Sequence, residues 1–262
     1  MDSQSFYIFD LDDNVFYLET QVQVRHMTTG EIRLLSTTEF AAVRHDLGKA
    51  GRWGHYEVFD RTYERFRDLN GPADQQHFVN DLNHVMALEH DAWKGPAWSV
   101  FEYACAQQRP LSIITARGHS PETIRAGITR LVEEGLIAKE PNYLDIFAVG
   151  NQSVASELKA GASPKDRIAI EGLPDPISEL KRLAIHRVVA KSIEIGGADK
   201  PHRFGMSDDD PGNVDLVIRA MLECKRKYPD MRFFVINTHR GEMVKLEVFP
   251  YNKPVVGQPE EI

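Results

Sequence analysis

The chain has 262 residues, enough for one large domain or a core with a smaller inserted one. Its 39 acidic side chains against 31 basic ones give a formal net charge of −8, which argues against a broad electrostatic grip on nucleic acid. No apolar run approaches the ~20 residues that span a bilayer, no basic n-region precedes the first apolar stretch, and Cys105 and Cys224 form no CxxC pair, so neither membrane span nor signal peptide is expected and a reducing, cytoplasmic setting is.

Residues 6–15 read FYIFDLDDNV: β-favouring apolar side chains run straight into Asp10, Asp12 and Asp13. A buried strand that ends in carboxylates puts negative charge at the carboxyl edge of a sheet, where ligands bind in open α/β sheets. Neighbouring carboxylates repel unless a cation or a shared proton relieves them. The pattern therefore points to a metal site with a carboxylate left free for chemistry. The plainer alternative is a strand that Asp simply terminates.

Residues 22–25 and 32–35 flank Thr28-Thr29-Gly30 as a hairpin. Ser36-Thr37-Thr38-Glu39 has the form of a capping box and starts a helix at 40–47 that stops at Gly48. Residues 49–60 read as loop, 61–69 as a short helix, and 73–88 as a longer one with Phe78, Leu82, Val85 and Met86 at helical spacing. The block 15–90 is thus a hairpin plus helices and stands outside any βαβ series. Gly95-Pro96 opens a helix with Ala97, Val100, Phe101 and Ala104 on its buried stripe. A short apolar strand at 111–114 ends at Thr115, and a polar loop with Arg117 and His119 leads to a helix at 122–133. Strand 143–149, a short helix at 154–160, a brief strand at 167–170 and a long helix at 177–195 follow. Residues 203–206 lead into the acidic run Ser207-Asp208-Asp209-Asp210, then a helix at 214–228 and a strong strand at 232–237. Residues 243–249 alternate and pair back as a C-terminal β-hairpin across His239-Arg240-Gly241. This rhythm predicts an α/β fold, a Rossmann-like parallel sheet flanked by helices. Residues 1–14 and 91–250 form the core, 15–90 an insertion, and 251–262 a loose tail.

Four polar ends are expected at one sheet edge: Asp10/Asp12, Thr115, the first turns of the 177–195 helix, and Asp208/Asp209. Taken as a set they resemble the haloacid dehalogenase-like (HAD) hydrolase superfamily, most of whose members are phosphatases. FDLDDN is similar to its first motif, an apolar strand then Asp-x-Asp. SIIT is similar to the second, Lys181 in KRLAI to the third, and FGMSDDDPGN to the fourth. The resemblance implies a HAD-like core with 15–90 as a mainly helical inserted cap. It implies Asp10 as nucleophile forming an aspartyl-phosphate, Asp12 as general acid then base, Thr115 as donor to a phosphoryl oxygen, and Lys181 as the cation that neutralises charge and holds Asp10. It implies Mg²⁺ held by Asp10, the backbone carbonyl of Asp12, and Asp208 or Asp209. Phosphatases of the family carry the second Asp and dehalogenases lack it, which favours phosphoryl chemistry.

The chain departs from the pattern where Asp13-Asn14 replaces the usual Gly-Thr or Gly-Val. Lys191 competes with Lys181 for the third motif; Lys181 is preferred because Ala184-Ile185 follow it and it lies nearer the helix start. Register decides which of Asp208, Asp209, Asp210 and Asn213 face the metal. His26, Arg44, His45, Arg52, Trp53, His55 and Tyr56 are cap residues that could meet a substrate. Arg117 and His119 are the stronger substrate-binding candidates because they follow Thr115 directly, and Arg suits a second phosphate or a carboxylate. The expected partner is a small phosphorylated metabolite. The alternatives are a nucleic-acid end-processing phosphatase, suggested by the TARGHSPE run and disfavoured by the acidic charge, and a catalytically silent binding protein, suggested by Asp13-Asn14. The sequence leaves the oligomeric state open.

Overall fold

The first strand decides which way the molecule faces. In the computed structural model, which describes residues 3–173, 176–250 and 255–256, β1 (Ser5–Phe9) sends Phe6 and Ile8 into one apolar cluster and Phe9, with Tyr7 beside it, into another. That is the two-residue alternation of a strand buried on both faces. Burying each such side chain contributes about 1.5–3 kcal/mol, so this strand anchors both layers at once.

The chain then runs through β2 (Val22–His26), β3 (Ile32–Leu35), α1 (Thr37–Val43), β4 (Tyr56–Glu57), 3-10 turns at Glu64–Phe66 and Ala73–Gln75, and α2 (His77–Met86). It continues with α3 (Trp98–Ala106), β5 (Pro110–Thr115), α4 (Pro121–Glu133), β6 (Asn142–Ala148), α5 (Gln152–Gly161), α6 (Pro164–Glu171) and α7 (Ile177–Gly196). Last come β7 (Arg203–Asp208), α8 (Pro211–Lys227), β8 (Arg232–Asn237), β9 (Val244–Glu247) and β10 (Val255–Val256). Among the described residues the main sheet has the order β10-β9-β8-β7-β1-β5-β6. Strands β6, β5, β1, β7 and β8 are mutually parallel, and β9 and β10 complete the edge antiparallel. One helical layer, α5 to α8, covers the Phe6/Ile8 face; α2, α3 and α4 cover the other. The fold is α/β with a mostly parallel, Rossmann-like sheet between two helical layers.

The order of strands fixes where a site can form. From β1 the chain steps outward to β5 and β6, then returns across β1 to β7 and β8. The direction of travel reverses beside β1, and a crevice opens there beyond the carboxyl ends of the strands. Register brings those ends level, with Phe9 opposite both Ser207 and Ile113.

Several segments differ from their sequence-based expectation. Residues 167–170 are helical in α6 rather than a strand. Ser163 caps that helix by accepting from the Asp166 amide, Pro164 fills its first position, and Ile170 turns inward while Ile168 stays in solvent. Residues 61–69 hold only a 3-10 turn, because Phe66 gives its carbonyl to the Gly118 amide at 2.7 Å instead of continuing a helix. The 15–90 block is organised around a second, antiparallel sheet, β3-β2-β4, with its own cluster of Val22, Val24, Leu35 and Phe40. Its last helix, α2, packs with α4 in the main helical layer, so packing divides the block well before residue 90. The expected loose tail at 251–262 lies outside the described residues except for Val255–Val256, which pair with β9. No helix among the described residues is long and apolar enough to cross a membrane.

The α2–α4 contact depends on a missing side chain. A methyl placed on Gly127 would lie 2.5 Å from Phe78 Cε1 and 2.9 Å from Leu82 Cδ1. Both neighbours are fully buried. Alanine gains about 1 kcal/mol in helix propensity, but overpacking costs about 1–3 kcal/mol. Gly127→Ala is expected to lower unfolding free energy on balance, measured by urea denaturation; a gain in stability would mean that the layer relaxes freely.

Candidate active site

Each acid arrives at the sheet edge by the length of its strand. Asp10 directly follows β1, and its amide donates to the Ser207 carbonyl at 3.1 Å, which extends the β1–β7 ladder by one bond. Asp208 is the last residue of β7, and Thr115 the last of β5. Oxygens of Asp10, Asp208 and Asp209 lie within 4.8 Å of one another. Lys181 reaches this group from the first turns of α7: its Nζ donates to Asp208 Oδ2 at 2.9 Å and lies 3.4 Å from Asp10 Oδ1. Lys181 and Asp208 have no exposed surface at all, and Asp10 keeps 6 %.

One buried ammonium thus sits among two buried carboxylates and the half-buried Asp209, and the balance is negative. Burial pushes the Asp10 carboxyl well above its ordinary range; Lys181 opposes the rise, and Asp208, Asp209 and Asp12 add to it. Burial and Asp208 likewise push Asp209 up to about 7. Burial works against the Lys181 charge, but Asp10 and Asp208 outweigh it and hold the proton more tightly than usual. Asp10 Oδ1 is buried without a hydrogen bond. Hard oxygen donors converging with excess negative charge fit a divalent cation such as Mg²⁺, which takes one or two carboxylates and keeps several waters.

The other candidates sort clearly. Asp210 caps α8 by accepting from the Gly212 and Asn213 backbone amides, so its Oδ1 serves the helix. Lys191 donates to Asp145 Oδ2 at 2.8 Å and to the Leu144 carbonyl, out at β6, and Lys181 alone of the two lies beside Asp10. Asp12 stands outside the three-acid group; its carboxylate is gripped by Arg117 through Nε at 2.8 Å and Nη2 at 2.6 Å. Thr115 is buried, with its Oγ1 accepting from the Arg117 amide at 3.3 Å. Arg117 and His119, expected to bind substrate, have 1 % and 0 % exposure and do not line an open surface. Phe66 and Phe78 enclose the Arg117 guanidinium, and Phe78 packs against the His119 ring. Cys105 and Cys224 have thiols pushed up to about 12 by burial, so neither offers a thiolate.

Asp13-Asn14 forms part of the structure around the acids. Asp13 adopts φ 54°, a left-handed turn conformation that Asp tolerates and Gly usually supplies. Asn14 is fully buried and ties three strand ends together. Its Nδ2 donates to the Asp10 carbonyl at 2.9 Å and to Ser207 Oγ at 2.8 Å, and its Oδ1 accepts from Thr238 Oγ1 at 2.8 Å. Ser207 and Thr238 escaped notice in the sequence; the available signal was their position, one before the acidic run and one after a strong strand. The small sheet unit touches the flanks of the three-acid group. Asp13 hydrogen-bonds the Thr37 side chain at the start of α1, and Arg44 at its end lies 3.8 Å from Asp210. His26, His45, Arg52, Trp53, His55 and Tyr56 belong to the same unit; Trp53 packs on its core with Arg33 and Arg52 over the ring.

Comparison of the chain with protein-family models, with curated proteins and with solved structures found no match in any of the three.

Two outcomes follow from these charges. Mg²⁺ at ~100 times its Kd should stabilise the protein by ~2.7 kcal/mol, roughly 5–10 °C in Tm for a chain of this size. Asp208→Asn should remove that shift in calorimetry, and an undiminished shift would place the ion elsewhere. Separately, burial, Arg117 and His77 push His119 down to about 2 from 6.5. The folded ring stays neutral where the unfolded one protonates, so the unfolded state binds the extra proton and stability is lost as pH falls below 6.5. Relative to His119→Gln, wild type should lose about 1.4 kcal/mol per pH unit between roughly pH 6 and 4; parallel pH–stability curves would contradict this.

Proposed function

We propose that the chain is a Mg²⁺-dependent phosphomonoesterase of the haloacid dehalogenase type, acting on a small phosphorylated metabolite through an aspartyl-phosphate. The observation that carries the reading is the meeting of Asp10, Asp208 and Asp209 around Lys181 at the carboxyl edge of the sheet, with Asp12 two residues beyond Asp10. Phosphate esters repel nucleophiles, so catalysis is chiefly positioning and charge neutralisation. Asp10, Asp208 and Asp209 would hold the metal, which supplies positive charge to the phosphoryl oxygens and relieves the repulsion among the acids.

The remaining work falls to the chain itself. An Asp10 oxygen bonds phosphorus as the ester P–O bond breaks, and Asp12 passes its proton to the departing alkoxide. Asp12, now a carboxylate, takes a proton from water as the water oxygen bonds phosphorus. The Asp10–phosphorus bond breaks, inorganic phosphate leaves, and both acids return to their starting forms. Lys181 holds Asp10 in place, and the Thr115 hydroxyl is the donor for a phosphoryl oxygen. Acid–base help of this kind is worth ~10²–10⁴-fold. The small sheet unit takes the part of the cap. Its contacts at Thr37 and Arg44 reach Asp13 and Asp210 on the flanks of the three acids, which favours exclusion of water and a compact substrate. The alternating β3-β2-β4 sheet, rather than helices, is its framework.

Asp10→Asn removes one buried negative charge and leaves the Lys181–Asp208 bond intact. It should fold as wild type and lose at least ~10³-fold in turnover of 4-nitrophenyl phosphate with Mg²⁺. Undiminished activity in this variant would reject Asp10 as nucleophile, and a wild type inert with every divalent metal would reject the phosphatase reading.

A further inference from the structure

Arg117 has a different task from the one its place after Thr115 suggests. Its side chain has 0 % exposure, whereas that of Asp12 has 21 %, so only the carboxylate can meet a ligand. Two bonds fix the carboxylate plane, Nε to Oδ2 at 2.8 Å and Nη2 to Oδ1 at 2.6 Å. Side-by-side pairing of this sort is what a guanidinium supplies and an ammonium cannot.

The guanidinium is itself held along its Nε–Nη2 edge and by two aromatic rings, while Nη1 is buried without a partner. Nη2 also donates to Thr20 Oγ1 at 2.9 Å, and the Thr20 hydroxyl donates to Asp81 Oδ2 at 2.5 Å. The Phe66 and Phe78 ring centroids each lie 4.9 Å from Arg117 Cζ. The backbone is pinned too: Gly118 donates to Phe66, and Ser120 donates to Asp68 Oδ2 at 2.9 Å. A side chain so confined has no freedom to follow a substrate, and it confers that rigidity on its partner.

We propose that Arg117 is a positioning residue that holds Asp12 in the orientation needed to protonate the leaving oxygen, and that it does not touch substrate. Thr20 and Asp81 extend the clamp. The proposal rests on the phosphatase reading, since it assigns Asp12 its task.

The test compares two aryl phosphates. 4-Nitrophenoxide leaves with little help from an acid; phenoxide needs a proton. Arg117→Lys keeps the charge and loses the fork. It should slow phenyl phosphate by ~10²-fold or more and 4-nitrophenyl phosphate by ~10-fold or less. Thr20→Val, a milder change should Arg117→Lys fail to fold, should give the same split at ~3–10-fold. In an Asp12→Asn background, Arg117→Lys should cost nothing further on phenyl phosphate. Equal losses on both esters, or none, overturn the positioning role alone. A wild type that turns over neither ester overturns the phosphatase reading and the positioning role together.

Discussion

A single buried ammonium set against three carboxylates governs this molecule. Lys181 satisfies Asp208 with a 2.9 Å hydrogen bond and stands within ion-pair range of Asp10, while Asp209 adds a third acid nearby. Charges taken out of water are tolerable only when they are paired and hydrogen-bonded. The pairing here falls short, and the shortfall appears as proton affinity: Asp10 and Asp209 both hold protons above their ordinary range. The hard oxygens of Asp10, Asp208 and Asp209 are close enough together to fit one divalent cation.

Much of the surrounding structure exists to hold these acids together. The parallel strands β7, β1 and β5 lie side by side, and their ladder bonds bring the strand ends level. Asn14 then ties the ends of β1 and β7 to Thr238 just beyond β8 through three short hydrogen bonds. Cores on both faces of the sheet remove any slack in β1, since Phe6 and Ile8 are committed to one and Phe9 to the other. Repulsion among the acids is thus opposed by packing several residues away.

The inserted unit has a similar logic on the other side of the acids. It contributes Thr20, Phe66 and Phe78 to the enclosure of Arg117, and Thr37 and Arg44 to contacts with Asp13 and Asp210. The buried contacts around Arg117 are close and numerous. The Arg44–Asp210 pair is half exposed at 3.8 Å and contributes little. The small sheet unit meets Arg117 through Phe66, while Phe78 reaches it from the main helical layer.

Local pattern alone was enough to read the apolar strand into Asp10, the capping box at Ser36, the hairpin about Gly30, and the long helix carrying Lys181, because each depends on neighbours in sequence. The capping box forms as read, with Ser36 and Glu39 each bonding the other's amide. Sequence favoured Lys181 over Lys191 only by its place on the helix and the residues that follow it; the sheet beneath decides that Lys181 meets Asp10 and Lys191 meets Asp145. The fate of Arg117 was not legible, since its neighbour Thr115 suggested an open site edge; residues from 20 to 81 close over it. The sequence by itself determined most of the elements and the supply of acids, since periodicity and turn chemistry are local, but not the segments at 61–69 and 167–170. Tertiary structure decided which charges pair, because burial and distance between remote segments have no local signature.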